Sequence, residues 1–239
     1  MEVNKEGHTH HISRQFDQEL ESVRMHLLEM GGHVERQVHE AVQSLIDGDD
    51  TRAEQVAEGD VEINAMEISI DEEITRILAR RQPAASDLRL LVAIGKANTD
   101  LERIGDEASR IARQAIALTA AGRAPGGYTE IGHLSTLVRQ MLRDALDAFA
   151  RLDPEQAVRV AQADREVDTE YVAAMRGLVT YMMEDARSIS RVLNVIWVLR
   201  SLERIGDHAR NIAEYVIYLV KGKDVRHVGL DVMQAEVFD

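Results

Sequence analysis

From Phe16 to Ile46 the apolar positions Leu20, Val23, Leu27, Met30, Val34, Val38 and Leu45 recur three or four residues apart. That period puts one face of a helix against a core. The pair Gly31-Gly32 lies inside the run and marks a candidate bend. Asp47-Gly48-Asp49-Asp50 ends it. A second helix is expected from Thr51 to Arg81, closed by Gln82-Pro83, because the residue before a proline avoids helical angles. Ser86 is placed to cap a third helix reaching about Ala121. After the breaker run Gly122 to Tyr128 the plan resumes. A fourth helix is expected over Thr129–Leu152, and a fifth, opened by Asp153-Pro154, extends to Glu184. A sixth runs over Ser188–Lys221 and stops at Gly222. The breaks divide the chain into a flexible N-terminus (1–12), a first three-helix bundle (13–122), a linker (123–128), a second three-helix bundle (129–222) and a C-terminal tail (223–239).

The two bundles read as copies of one unit. Displaced by 104 positions, Asp49, Ala53, Val56, Ala57, Asp60 and Glu62 fall on Asp153, Ala157, Val160, Ala161, Asp164 and Glu166. Displaced by 101, Leu101-Glu102-Arg103-Ile104-Gly105-Asp106 is identical to Leu202-Glu203-Arg204-Ile205-Gly206-Asp207. Helical low complexity repeats Leu, Ala and Glu; it does not repeat a six-residue string with a mid-helix glycine, so duplication is the reading. The fold class expected is all-α: two tandem three-helix bundles related by internal duplication.

Composition narrows the chemistry. Aromatics make up only 4% and the chain is rich in good helix formers, which argues against sheet. A net charge of -14 repels nucleic-acid phosphates and anionic lipid. No direct nucleic-acid partner is expected, and membrane association only through a protein. With no cysteine, disulfides and thiolate metal sites are excluded. No segment reads as a signal peptide or a membrane span, so a cytoplasmic location is expected.

The informative residues are acids in the wrong place. In the fifth helix Asp164 and Asp168 lie within the apolar stripe of Ala157, Val160, Ala161, Val167 and Tyr171; in the second, Asp60 and Asn64 sit among Val56, Ala57 and Ile63. Glu102 and Asp106 flank the core stripe of the third helix one turn apart, as Glu203 and Asp207 do in the sixth. Like charges at this spacing repel, and buried carboxylates without partners are costly. A cation between them reverses the sign. The all-oxygen sets Asp60, Asn64, Glu102, Asp106 and Asp164, Asp168, Glu203, Asp207 suit Mg²⁺, Mn²⁺, iron or zinc. The competing reading is plain ion pairing, with Arg110 four residues after Asp106. If both sets bind metal, the second is expected to be the tighter, since Asp168 is charged where Asn64 is neutral.

Two other functions compete. A di-metal carboxylate enzyme of the ferritin-like kind wants Glu-x-x-His on two helices, and only Glu130-x-x-His133 is present, so no enzyme is expected. A phosphotransfer bundle wants an exposed helical histidine with a lysine nearby; His26, His33 and His39 have none within a turn. Trp197, Tyr181, Met182 and Met183 at helical spacing are read as core.

The doubled LERIGD string, the segment Arg81-Gln82-Pro83-Ala84-Ala85-Ser86-Asp87-Leu88-Arg89 and the ending Tyr218-Leu219-Val220-Lys221-Gly222-Lys223-Asp224-Val225-Arg226-His227 resemble the PhoU family of phosphate-transport accessory and regulatory proteins. The opening from Phe16 and the Met30-Gly31-Gly32 step are similar too, so the likeness spans residues 12 to 230. The resemblance implies a cytoplasmic homodimer acting between the ATPase subunit of the phosphate ABC transporter and a phosphate-sensing histidine kinase. It implies negative regulation of the phosphate-starvation response. It also implies metal clusters on paired acidic motifs, here Glu102/Asp106 with Asp60 and Glu203/Asp207 with Asp164 and Asp168; Asn64 departs from the fully acidic pattern.

Overall fold

A computed structural model describes residues 9–83, 85–122 and 128–238. Among these residues every regular element is helical. The first bundle comprises α1 (Thr9–Asp47), α2 (Asp50–Glu58), α3 (Asp60–Arg81) and α4 (Ala85–Ala120). The second comprises α5 (Thr129–Arg151), α6 (Pro154–Glu184) and α7 (Ile189–Lys221), and α8 (Leu230–Phe238) follows. The two tandem three-helix bundles expected from the duplication are present, with α2 and α3 forming one bent rod.

Corresponding positions explain both the likeness and the differences. Asp49 caps α2 by accepting the Arg52 backbone N–H at 3.0 Å, and Asp153 caps α6 by accepting from Glu155 and Gln156, each at 3.0 Å. The second helix breaks at Gly59, whose backbone N–H still reaches Gln55 O at 2.9 Å. Its counterpart is Ala163, and α6 runs through that point unbroken. Gly59 keeps right-handed angles, φ −65° and ψ −10°, so the break is a lapse in the helical bonding, which glycine's low helix propensity favours over alanine. Ser86 lies inside the first turn of α4, which starts at Ala85, and does not cap it. Helix α1 starts at Thr9, earlier than the apolar face suggests, since no Gly or Pro stands between Gly7 and Gly31. Residues 1–8 of the expected N-terminus and 123–127 of the expected linker lie outside the described residues. Past Gly222, where no element was expected, Leu230, Met233 and Val237 turn one buried face of α8 toward α6.

Leu152 shows the duplication under strain. It holds φ +52° at the C-terminal stop of α5, in the place of Gly48, which holds φ +70° after α1. The left-handed region costs a side-chain-bearing residue about 1–2 kcal/mol. Leu152→Gly therefore raises stability by about 0.5–1 kcal/mol, part of the relief being offset by the freer unfolded chain. Urea denaturation measures it; an unchanged or lower midpoint contradicts the strain.

Helices α4 and α7 make the broadest contact between the repeats. At its centre the Asp100 carboxylate, 6% exposed, accepts from Asn211 Nδ2 at 3.1 Å and from Tyr215 Oη at 2.8 Å. His208 Nδ1 lies 2.7 Å away. Burial, then the facing Asp100 charge, pushes the Tyr215 phenol up, which keeps it a donor. In the same interface the buried Glu107 takes Arg110 Nη1 at 2.6 Å and Arg204 Nη1 at 2.7 Å. Helix α1 also bonds α5, where Arg24 Nη1 donates to Ala150 O at 2.9 Å.

Trp197 and Met183 are not core: they are 60% and 84% exposed. Val198 and Leu199 carry the packing there instead, both fully buried. Helical spacing alone did not say which side of α7 faced inward.

Candidate metal centre

The LERIGD strings sit mid-helix in α4 and α7, and their glycines let a neighbouring rod approach. A Cβ on Gly105 would meet Ile63 at 3.2 Å and Gln37 Oε1 at 3.3 Å; on Gly206 it would meet Val167 at 3.4 Å. That close approach brings α3 onto α4 and α6 onto α7, and the acids flanking each contact face one another.

In the first repeat Asp60, Asn64, Glu102 and Asp106 are all half-buried. Ser109 Oγ donates to Asp60 Oδ1 at 3.2 Å, and Asn64 Nδ2 reaches Asp60 Oδ2 at 3.5 Å. That orientation leaves Asn64 Oδ1 buried without a donor. Desolvation, then Asp106 and then Glu67, raise the Glu102 carboxyl above its usual range. Glu67 is itself pushed up by burial and by Asp71 and Asp106. Glu67 thus belongs to the cluster, although the sequence reading omitted it. The signal was available: Asp60, Asn64, Glu67 and Asp71 recur four, three and four apart on one face.

The second repeat gathers Asp164, Asp168, Glu203 and Asp207. Asp164 is 4% exposed and Glu203 half-buried, while Asp168 and Asp207 stand at the solvent rim. Protein on one side still strips part of their hydration. Desolvation, followed by Asp164, raises both Asp168 and Asp207. Glu203 is raised by desolvation and then by Asp207, and its Oε2 is buried without a donor.

Ion pairing accounts for some of these acids and not others. Arg210 Nη1 donates to Asp164 at 2.8 Å, and Arg200 Nη1 to Glu203 at 3.0 Å. Arg110 stands only 4.0 Å from Asp106 and gives its short bond to Glu107. As placed, no three His, Asp or Glu side chains among the described residues are gathered closely enough to hold a metal ion. The donor chemistry nevertheless fits a hard cation: carboxylates raised by desolvation and then by one another, with an orphaned oxygen in each set. Glu130 and His133 are both exposed near the start of α5, apart from either set.

The repeat architecture has a counterpart among known families. The PhoU domain pattern matches twice, over residues 27–115 and 131–216. The chain belongs to the PhoU family. A relative from Pseudomonas putida, named "Phosphate-specific transport system accessory protein PhoU homolog", is 65% identical over 98% of this chain and 92% of its own length. The Escherichia coli protein of that system, also named an accessory protein, is 48% identical over 92% of this chain and 91% of its own. The crystal structure of PhoU from Pseudomonas aeruginosa superposes with a TM-score of 0.85 at 64% identity, covering 87% of this chain and all of that one. Each matched PhoU domain contains one acid set; α8 and the segment leading to it lie beyond both.

Proposed function

We propose that this chain is a non-enzymatic accessory protein of phosphate uptake and a negative regulator of the phosphate-starvation response. The observation that carries this reading is the 65% identity over 98% of the chain to a relative named for the phosphate-specific transport system. In this reading it works in the cytoplasm as a homodimeric adaptor between the transporter's ATPase subunit and the phosphate-sensing histidine kinase. It reaches the membrane only through those proteins. Among the described residues no helix is long and apolar enough to cross a membrane, which is compatible with that role. Deletion of the gene should leave starvation genes expressed in phosphate-rich medium, with repression restored by the intact gene in trans. Normal repression in the deletion strain refutes the regulatory reading. Failure of the transporter ATPase subunit to co-purify with the tagged chain refutes the adaptor.

The acid sets serve this protein, in the same reading, as sites for Mg²⁺, Mn²⁺, iron or zinc. Asp60, Asn64, Glu67, Glu102 and Asp106 would hold one, and Asp164, Asp168, Glu203 and Asp207 the other. The metal would supply positive charge that stabilises the α3–α4 and α6–α7 contacts. Side chains must turn inward to converge. In this reading the two sites rank in the other order from the one that the Asn64 and Asp168 difference alone suggests. Glu67 restores the charge that Asn64 lacks, while Arg210 already neutralises Asp164 where the first repeat has only the Ser109 hydroxyl. The first site is accordingly the tighter. In a Mn²⁺ titration of chelator-treated protein, Glu67→Gln weakens the higher-affinity phase about tenfold. An unchanged higher-affinity phase removes Glu67 from the site.

A further inference from the structure

A cavity of about 480 Å³ opens where α7 meets the segment that follows it. Three arginines, Arg204, Arg210 and Arg226, and two histidines, His208 and His227, line it. In a chain of net charge -14 this is an unusual gathering of basic groups. Asp207 and Glu214 are the acids in its wall, and Glu214 is already paired with Arg210 at 3.0 Å.

Each arginine is anchored by a carboxylate yet keeps donors to spare. Arg204 gives Nη1 to Glu107 at 2.7 Å. Arg210 gives Nε to Glu214 at 3.0 Å and Nη1 to Asp164 at 2.8 Å. Arg226 gives Nε to Asp224 at 2.9 Å, together with Nη2. A guanidinium has five N–H donors, so Nη2 of Arg204 and of Arg210 and Nη1 of Arg226 remain. His208 is fixed through Nδ1 to Asp100 at 2.7 Å, which leaves Nε2. Holding a fork in place before the ligand arrives reduces the ordering cost of binding.

The segment after α7 is built to deliver the other two groups. Gly222 ends the helix, Val225 is 2% exposed and anchors the turn, and Asp224 accepts the Arg226 backbone N–H at 3.1 Å. His227 then holds φ +66°, a left-handed conformation that costs energy in a residue with a side chain. The first repeat lacks this arrangement. Ser109, Arg110 and Glu107 stand at the positions of Arg210, Asn211 and His208, and its sequence continues into Pro125-Gly126 where Arg226 and His227 would fall.

We propose that this cavity binds a phosphate-type oxyanion, held by Arg204, Arg210 and Arg226 with His208 and His227. Several forks converging on one volume match a tetrahedral anion with several acceptor oxygens. The anion is either free inorganic phosphate or the phosphate group of a small organic molecule such as a nucleotide; the volume admits both. The site does not depend on metal in the neighbouring acid set, although Asp207 borders both.

The test is calorimetric titration of the full-length protein in excess chelator with inorganic phosphate, with adenosine monophosphate and with adenosine. Binding of either anion but not of adenosine is expected. Phosphate binding identifies the free ion as sufficient, and binding of the nucleotide alone identifies an organic phosphate. The charge-neutral double variant Asp224→Asn/Arg226→Gln weakens binding about tenfold or more. His227→Gly, which suits the left-handed backbone and so retains the fold, weakens it several-fold; thermal melting confirms that both variants fold. Binding of neither anion overturns the proposal. So does binding that vanishes in chelator, which would place the anion on a metal at the acid set. Unchanged affinity in both folded variants would place it elsewhere and equally overturns it.

Discussion

Asp100→Ala lowers the stability of the folded chain by about 3–5 kcal/mol, the range for breaking a buried charged network by removing one partner. The carboxylate joins Asn211, Tyr215 and His208 of α7 to α4 by hydrogen bonds. Alanine strands these groups in an interface that water reaches poorly, and each buried donor without an acceptor costs about 1–3 kcal/mol. Asp100→Asn should fall between, since it keeps an acceptor but turns an amide N–H toward other donors. The measurement is urea denaturation followed by circular dichroism. A loss below about 1 kcal/mol for the alanine variant would show that water replaces the carboxylate and that the joint rests on its apolar packing and the Glu107–Arg204 pair.

In chelator the protein melts at a higher temperature at about pH 5.5 than at about pH 7.5, the reverse of the usual acid weakening. Glu67, Glu102, Asp168, Glu203 and Asp207 all have carboxyls raised first by desolvation and then by neighbouring acids. A raised acid holds its proton in the folded state at a pH where the unfolded chain has released it. Its penalty is complete above the folded value and fades as pH falls toward the unfolded one, so stability rises on acidification across that window. Glu19, lowered first by its bond from Arg81, and Asp224, held well below the usual range by Arg226, act in the opposite sense. Their contributions are lost only below the ordinary carboxylate range, which pH 5.5 does not reach. A metal does at neutral pH what protons do here: Mn²⁺ at about a hundred times its dissociation constant adds about 2.7 kcal/mol. A melting temperature that falls on acidification, with no response to Mn²⁺ or Zn²⁺, would mean the acids serve ion pairs.

The bundles were legible because the features that build them are local: apolar spacing, the Asp49 and Asp153 caps, and a duplicated string. The acid sets were legible for a related reason, since helical spacing places Asp164 and Asp168 on one stripe without reference to a partner. What spacing does not supply is which neighbour answers a charge. The pairing of Arg210 with Asp164 joins residues 46 apart, and that of Asp100 with Tyr215 joins residues 115 apart. Both depend on how the rods pack. The break at Gly59 was hidden for a different reason: a mid-helix glycine is tolerated as often as it bends, and Gly105 and Gly206 leave their helices straight through. Helix α8 was missed because its three buried residues fill only two turns.

Trp197 is the single tryptophan of the chain and stands 60% exposed on α7. Its indole is already in water in the native state, so intrinsic fluorescence barely shifts on unfolding, and denaturation followed that way would look nearly silent. The same placement makes it a clean optical reporter of that one face. A partner that covers α7 there would shift its emission to the blue and shield it from iodide quenching, without any label, while a partner seated on the first bundle would leave the spectrum as it is.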